Sequence, residues 1–465
     1  MPAAPSNPES GLRRQLTAGQ MTMVAVGGSI GTGLLLGTAS AISLAGPAVI
    51  LTFVLAAFIS WTVTLALGEL ASAHPAAGSF GVYAELYLND WASFVSRAGY
   101  WLAISFSIGA EMVASAAYMQ FWFPRSPALV WIVRLSVFLL SINLLNVRSY
   151  GWFEFWFAMI KVAVIAAFII LGAALLFTGR TAPQYTVNGG FFPLGAAAPL
   201  LALTFAIYTF GGVEFVAIAS GESASGREVA RATRLTSLTL TAVYLGAIII
   251  LVGVMPWNRA GVTESPFVTV FRSVSLPGAA HFMNFVVLTA ALSGANAALY
   301  ISSRMLFSLA RTGWAPRGLG HLSRSGTPTW ALIVSSYGII AALILEHYAP
   351  GRAFEYILRG AFFGMMLSWI ISLAAHIQFR RRMTPEQEPE GGARSPLGKW
   401  GSIVGLAVVL ACVGKTWFDS RVNLISGLAM LIGLTVAYSL IKQSRGQNGK
   451  NSAGKDKQNG TAESH

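Results

Sequence analysis

Two stretches carry residue types and spacing suited to holding a small polar ligand. The first, Ala25 to Gly37, reads AVGGSIGTGLLLG and combines Gly27, Gly28, Gly31, Gly33 and Gly37 with the hydroxyl residues Ser29 and Thr32. It lies inside an apolar run of membrane-spanning length. Glycine disfavours a helix interior by about 1 kcal/mol relative to alanine, so this density predicts a helix that breaks. A break in lipid strips N–H and C=O groups of their partners, which is costly, and it persists only where it lines a cavity or holds a ligand. The second stretch, Leu203 to Glu222, reads LTFAIYTFGGVEFVAIASGE and has Gly211-Gly212 near its centre, flanked by Tyr208, Phe210 and Glu214.

Paired breaks offer a defined chemistry. N–H groups at a half-helix N-terminus bind a carboxylate, assisted by the helix dipole. The freed carbonyls accept hydrogen bonds from an ammonium. A pocket with both suits an α-amino acid. Ser29, Ile30, Gly31, Thr32 and Gly33 are the expected carboxylate site; Tyr208, Phe210, Gly211, Gly212 and Glu214 are expected from the partner break, with Phe210 placed as a gate or side-chain contact rather than a head-group ligand. The competing explanation for such glycines is close helix packing, since Gly27-x-x-x-Gly31 and Gly33-x-x-x-Gly37 both fit that motif.

Ionisable residues within apolar spans are functional candidates by default. Glu111, in SIGAEMVASA, is read either as a substrate contact or as a neutral hydrogen-bonded core residue. Lys161, in FAMIKVAVIAAF, either faces the interior and exchanges a proton during transport or snorkels to the interface. Glu214 bonds freed backbone, the substrate ammonium, or a helix end. Glu222 is expected as a gate or interface residue, and Arg304 as an interior pair or a membrane-face cation. Asn296, Tyr300 and Ser303 share a helix face by their offsets; that face is expected to look into the bundle, where Asn296 either contacts substrate or binds neighbouring helices together.

The rest of the chain is built to position these residues in a bilayer. The 465 residues are 55% hydrophobic and only 11% charged, against about 25% charged in soluble domains, and the mean hydropathy is +0.62. Twelve apolar segments of about 20 residues are long enough to span: 20–43, 47–72, 96–122, 128–146, 152–178, 197–220, 235–256, 280–309, 329–347, 354–377, 399–418 and 422–441. The two interrupted spans are the first of each five-span half (20–178 and 197–377), followed by two further helices (399–441); such symmetry points to a transporter site at the bilayer midplane. The net charge of +13 does not indicate nucleic acid, because the basic residues lie between spans and at the ends. Twenty lie on the side of both termini and six on the other, so the termini are expected in the cytoplasm. Residues 1–19 form a polar cytoplasmic segment without a cleavable signal peptide, and 443–465, rich in Gly, Lys, Asn and Ser, a disordered basic tail that contacts anionic lipid or stays solvated. The loops His74–Asn89 and 311–328 read as interfacial elements, the former with a short amphipathic helix. The lone Cys412 excludes an internal disulfide and a cysteine metal cluster. Gly27-x-Ser29-x-Gly31 matches a nucleophile elbow only formally, since it lacks the strand–turn–helix context. No P-loop, HExxH or histidine cluster is present, so neither an ATPase nor a metalloenzyme is expected.

Several of these motifs together resemble amino acid permeases of the amino acid–polyamine–organocation superfamily, in its bacterial amino acid transporter branch. They are GGSIGTGLLLG, HPAAGSFGVYA, AEMVASAAYMQFWFP, FEFWFAMIKVAVI, FGGVEFVAIASGES and SGANAALYISSRMLFSLARTGWAP, and the resemblance runs from about Leu12 to Tyr438. It implies an all-α fold with a five-plus-five inverted repeat and two extra C-terminal spans. It implies that backbone at the two breaks binds the amino acid head group and that Lys161 replaces a sodium ion and couples transport to protons. The glutamates matching Glu111 and Glu214 are typical of the branch. After Gly221-Glu222 the chain departs from the family, reading SASGREVARATR without the usual proline. The expected activity is secondary active import of amino acids, neutral or aromatic, across the cytoplasmic membrane by proton symport with alternating access. It needs no cofactor and no obligate protein partner. The alternatives are an exchanger without net proton movement and an amino-acid-binding membrane sensor on the same fold.

Overall fold

The computed structural model describes residues 16–76, 78–145, 147–223, 225–260, 265–273, 278–323, 326–383, 393–419 and 421–462. The expected N-terminal segment therefore lies mostly outside the described residues. Helices account for most of the described residues, and an isolated bridge from Leu16 to Ser223 stands in place of any sheet among them.

The chain begins with α1 (Ala18–Ser29), a π-helical turn (Gly33–Gly37) and α2 (Thr38–Ala45), which together make the interrupted first span. There follow α3 (Val49–Ala73), the short α4 (Ser79–Tyr87), α5 (Asp90–Gln120), α6 (Ala128–Leu145) and α7 (Val147–Phe177). The sixth span is again in pieces: α8 (Ala198–Leu201), α9 (Leu203–Thr209) and α10 (Phe215–Ala219). Then come α11 (Gly226–Val254), α12 (Pro266–Ser273), α13 (Ala279–Arg311), α14 (Thr329–Ser335), α15 (Tyr337–Tyr348), α16 (Ala353–Arg382), α17 (Gly398–Asp419) and α18 (Arg421–Ala462). Nine helical stretches among the described residues are long and apolar enough to cross a membrane. The first and sixth spans are broken and α6 is shorter, so the architecture is the expected all-α polytopic one.

Local sequence sets the helix starts. Thr17 and Gln20 form a reciprocal capping box at α1. Asn89 Oδ1 accepts the Ala92 N–H at 2.9 Å to start α5, and Ser225 Oγ accepts the Glu228 N–H at 3.3 Å to start α11. α18 continues through Ala462, where composition predicts a disordered tail from Gln443. Extending an existing helix adds one hydrogen bond per residue without a new nucleus, which is why a polar run joined to an apolar span propagates helix.

α5 is the spine of the bundle and packs along α13, α16 and α15. Glycines bring these helices into backbone contact: a Cβ at Gly338 would overlap the Ser105 carbonyl, and one at Gly364 would overlap that of Gly99. At the end of the molecule that holds Thr17, two buried ions tie elements together. Glu69 of α3 receives Arg380 Nη2 at 2.6 Å, the Ser395 N–H at 3.1 Å and lies 3.0 Å from His376 Nε2, joining α3 to α16 and to the segment before α17. Arg97 of α5, packed against Gly81 of α4, reaches Glu85 at 3.4 Å and Thr312 Oγ1 at 3.3 Å. This places the expected amphipathic loop helix against the bundle, with Phe80, Tyr83 and Ala84 buried. In the second loop, Arg317–Gly320 forms a single 3-10 turn.

The Gly338 crossing gives a stability test. Gly338→Ala should lower the thermal midpoint of the purified protein, followed by tryptophan fluorescence, through overpacking worth about 1–3 kcal/mol. Gly360→Ala, where nothing lies within 4 Å, should leave the midpoint unchanged or raise it.

Candidate functional site

The break in the first span starts where α1 ends at Ser29. The Ile30 N–H closes back on Val26 O at 2.9 Å and the Gly31 N–H on Ser29 O at 3.0 Å. The chain then leaves the helical ladder for the π-helical turn, and side chains from other spans take over its peptide groups. The Thr32 N–H donates to the Glu111 carboxylate, 3.2 and 3.4 Å from its two oxygens. Lys161 Nζ donates to Gly27 O at 2.6 Å and Tyr244 Oη to Ser29 O at 2.6 Å. Thr209 Oγ1 donates to Gly33 O at 3.2 Å, and Ser265 Oγ to Leu35 O at 2.6 Å. Five elements thus bond one interrupted helix.

The break in the sixth span is held differently. Gly212 sits at φ +101°, a conformation glycine adopts readily. Its N–H donates to Glu214 Oε2 at 3.2 Å, and the Phe215 N–H to Gly212 O at 2.9 Å. Glu214 also receives Tyr100 Oη at 2.6 Å and Trp369 Nε1 at 3.4 Å. The two breaks touch: a Cβ on Gly212 would lie 3.0 Å from the Ser29 backbone nitrogen.

Between them lies a cavity of about 60 Å³. At roughly 10–15 Å³ per water-sized centre it has room for a handful of atoms, enough for an amino acid head group. Seven of the expected residues line it: Ser29, Gly31, Gly33, Tyr208, Gly211, Gly212 and Glu111. Ser29 Oγ is buried there without a hydrogen-bond partner among the described residues. Ser107, Phe215, Ala361 and Met365 are among the other lining residues, with Phe215 against Gly28 and Met365 against Gly211.

The remaining expected residues stand behind this wall. Ile30 is buried in the core, and Thr32 contributes its backbone to Glu111. Phe210 points away from the cavity, between Phe53 and Tyr244, with ring centroids at 6.3 and 4.8 Å. Glu214 anchors the second break from below. Asn296 Oδ1 accepts from Asn143 Nδ2 at 2.7 Å, and its own Nδ2 donates to Glu154 at 3.4 Å. Lys161 reaches the first break from behind, through Gly27. The expected free N–H groups at the second half of span one meet a protein carboxylate instead: Glu111 occupies Thr32, cradled by Gly31 and Gly294, where a Cβ would lie 2.5 and 3.0 Å from its Oε1. Elsewhere, Arg304 lies over the Tyr300 ring, 3.2 Å from its centroid, and the Glu222 side chain falls outside the described residues.

Residue-by-residue reading of the sequence passed over Glu154. It is fully buried on α7, receives Ser293 Oγ at 2.8 Å, and faces Lys161 electrostatically together with Glu111. Its seven-residue offset from Lys161, two helical turns on one face, was the available signal. Tyr244, Tyr100 and Ser265 left none, because a polar residue in an apolar span does not announce which distant carbonyl it meets.

The family model described as Amino acid permease matches residues 20–442. The chain belongs to the amino acid permease family. This permease is 34% identical over 459 residues to the uncharacterized amino acid permease YtnA of Bacillus subtilis, covering 96% of the chain and 98% of the relative. It is 36% identical over 416 residues to the aromatic amino acid transport protein AroP of Escherichia coli K12, covering 87% and 90%. It is 32% identical over 447 residues to the gamma-aminobutyric acid permease of Bacillus subtilis, covering 94% and 95%. The permease is a transporter rather than an enzyme, and an integral multi-pass membrane protein.

Gly212→Ala should weaken amino acid binding to the purified permease about fivefold to a hundredfold, read by scintillation proximity, since a strained φ and a collision with Ser29 together amount to about 1–3 kcal/mol. Its elution on gel filtration should match that of the parent protein.

Proposed function

We propose that this permease imports amino acids across the cytoplasmic membrane by proton symport in an alternating-access cycle, with both termini in the cytoplasm. The observation that carries the reading is the cavity at the contact of the two broken spans, with a buried Ser29 hydroxyl awaiting a partner. A zwitterionic head group fits its chemistry. The substrate carboxylate meets the Ser29 hydroxyl and competes with Glu111 for the Thr32 N–H, and the ammonium meets carbonyls of the Tyr208–Gly212 segment. Gly28, Gly31 and Gly294 keep the walls thin enough for this approach.

Lys161 is the coupling residue in this reading. Its ammonium holds Gly27 O, the last stretch of α1 before the break. A protonated lysine there stabilises one position of α1; loss of the proton removes the donor and frees the half-helix to move. Glu154 and Glu111 are the carboxylates facing it, so proton traffic at Lys161 and the geometry of the first break are electrostatically linked. Substrates are neutral amino acids, aromatic ones included; the relative named for aromatic amino acid transport supports that class, and Met365 and Ala361 offer a pliable apolar wall for the side chain.

Reconstituted into liposomes with an inward proton gradient, the permease should accumulate radiolabelled neutral amino acids, and a screen of all twenty identifies them. Lys161→Ala should abolish gradient-driven accumulation while binding in detergent persists. Undiminished accumulation would remove Lys161 from the coupling step, and binding by the parent protein without any accumulation would favour a sensor. Accumulation that requires amino acid inside the vesicles and ignores the gradient would favour an exchanger.

A further inference from the structure

A second, larger cavity of about 420 Å³ lies at the end of the bundle opposite Thr17. It is walled by α2, the outer pieces of the sixth span, the start of α16 and the end of α17. The inner and outer cavities share one lining residue, Tyr208, so the Tyr208 ring is the partition between them.

The charged residues lining the outer cavity are Glu355 and Arg359, which pair with each other one helical turn apart on α16. Their side chains are 44% and 36% exposed. An exposed ion pair contributes little to stability, so exchanging it for equivalent charges on a ligand costs little. The other described pairs each have a deeply buried member, Glu69 or Arg97, and lack that freedom. The outer cavity also contains Thr204 Oγ1, a buried hydroxyl without a hydrogen-bond partner among the described residues. Phe205, Phe362 and Tyr208 supply an apolar, aromatic flank.

One cation, one anion and an apolar flank in one cavity are complementary to an amino acid with a bulky apolar side chain. We propose that the outer cavity is a second amino acid site, a loading site in which the Arg359 guanidinium takes the substrate carboxylate and the Glu355 carboxylate takes its ammonium. The side chain rests on Phe205, Phe362 and Tyr208. The arginine fork matches a carboxylate bidentately, which orients the ligand as well as attracting it. Movement of the Tyr208 ring then connects the loaded cup to the cavity at the breaks. This inference rests on the transport reading above, and it adds a station before the central site.

The test uses the full chain in proteoliposomes and, as probe, whichever of the twenty radiolabelled amino acids the parent protein takes up fastest. Arg359→Gln and Glu355→Gln should each raise the KM for uptake about tenfold, with the maximal rate changed less than twofold, as expected for losing one charged contact of a site used only in loading. Unchanged KM in both variants would overturn the loading site. The exchanged pair Arg359→Glu with Glu355→Arg separates a ligand site from a structural pair. It restores an intrahelical ion pair but reverses the polarity offered to the ligand, so KM should stay high; recovery of the parent KM would overturn the proposal. Binding stoichiometry gives an independent readout: two amino acids per parent chain at saturation and one per Arg359→Gln chain support the site, and one in both overturns it. Failure of the parent protein to take up any of the twenty would instead overturn the transport reading itself.

Discussion

A peptide group in the middle of a bilayer must find a hydrogen-bond partner, and the two interrupted spans are organised by that requirement. At the first break the ladder is lost over a few residues, and Glu111, Lys161, Tyr244, Thr209 and Ser265 bond the groups it leaves. These side chains come from α5, α7, α11, α9 and the segment before α12. The irregular backbone is therefore the point at which most of the bundle is tied together, and any change in its bonding is felt by several helices at once. Under the proposed transport cycle, a ligand that competes for the same backbone groups perturbs bonds anchored in distant helices.

Small residues make the arrangement possible. Gly212 rests on Ser29, Gly31 and Gly294 cradle Glu111, and Gly28 faces the Phe215 ring. With side chains at these positions the two breaks would be held apart, and the site would become an open groove rather than a cavity of head-group size. The same device operates in the scaffold, where Gly109, Gly338 and Gly364 bring α5, α15 and α16 into backbone contact. Close backbone approach is the main means of helix association in lipid, where burying apolar surface gives no advantage over the hydrocarbon. A glycine-rich chain of this class thus uses one residue type for two purposes, and only position tells them apart.

Charge is distributed along the same logic. Glu154 and Lys161 are buried behind the first break, and Glu111, which lines the cavity, faces Lys161 from beside it. Low-dielectric surroundings do not tolerate an uncompensated charge. Under the proposed symport, this is the cluster at which proton occupancy and substrate occupancy meet. The Glu69 and Arg97 pairs serve another end, locking the helices and loops at the Thr17 end of the bundle.

The sequence alone determined the membrane-embedded all-α class, the position of most helices, and the location of both breaks, while α11 starts earlier and α18 runs further than expected. Each of these rests on a property local to the chain: apolar length, capping residues, and glycine clusters whose helix propensity is too low to sustain a span. It also singled out Glu111, Lys161 and Glu214, because an ionisable residue in an apolar run is conspicuous wherever it points. Tertiary structure decided what they touch. Whether the Thr32 N–H meets a substrate or the Glu111 carboxylate, whether Phe210 faces the cavity or Phe53, and whether Asn296 serves the ligand or Glu154 depend on how helices far apart in sequence rotate against one another. Glu154 and Tyr244 went unread for the same reason. A hydrogen bond between residues 215 positions apart, as from Tyr244 to Ser29, has no signature in either segment and exists only once packing has set the distance.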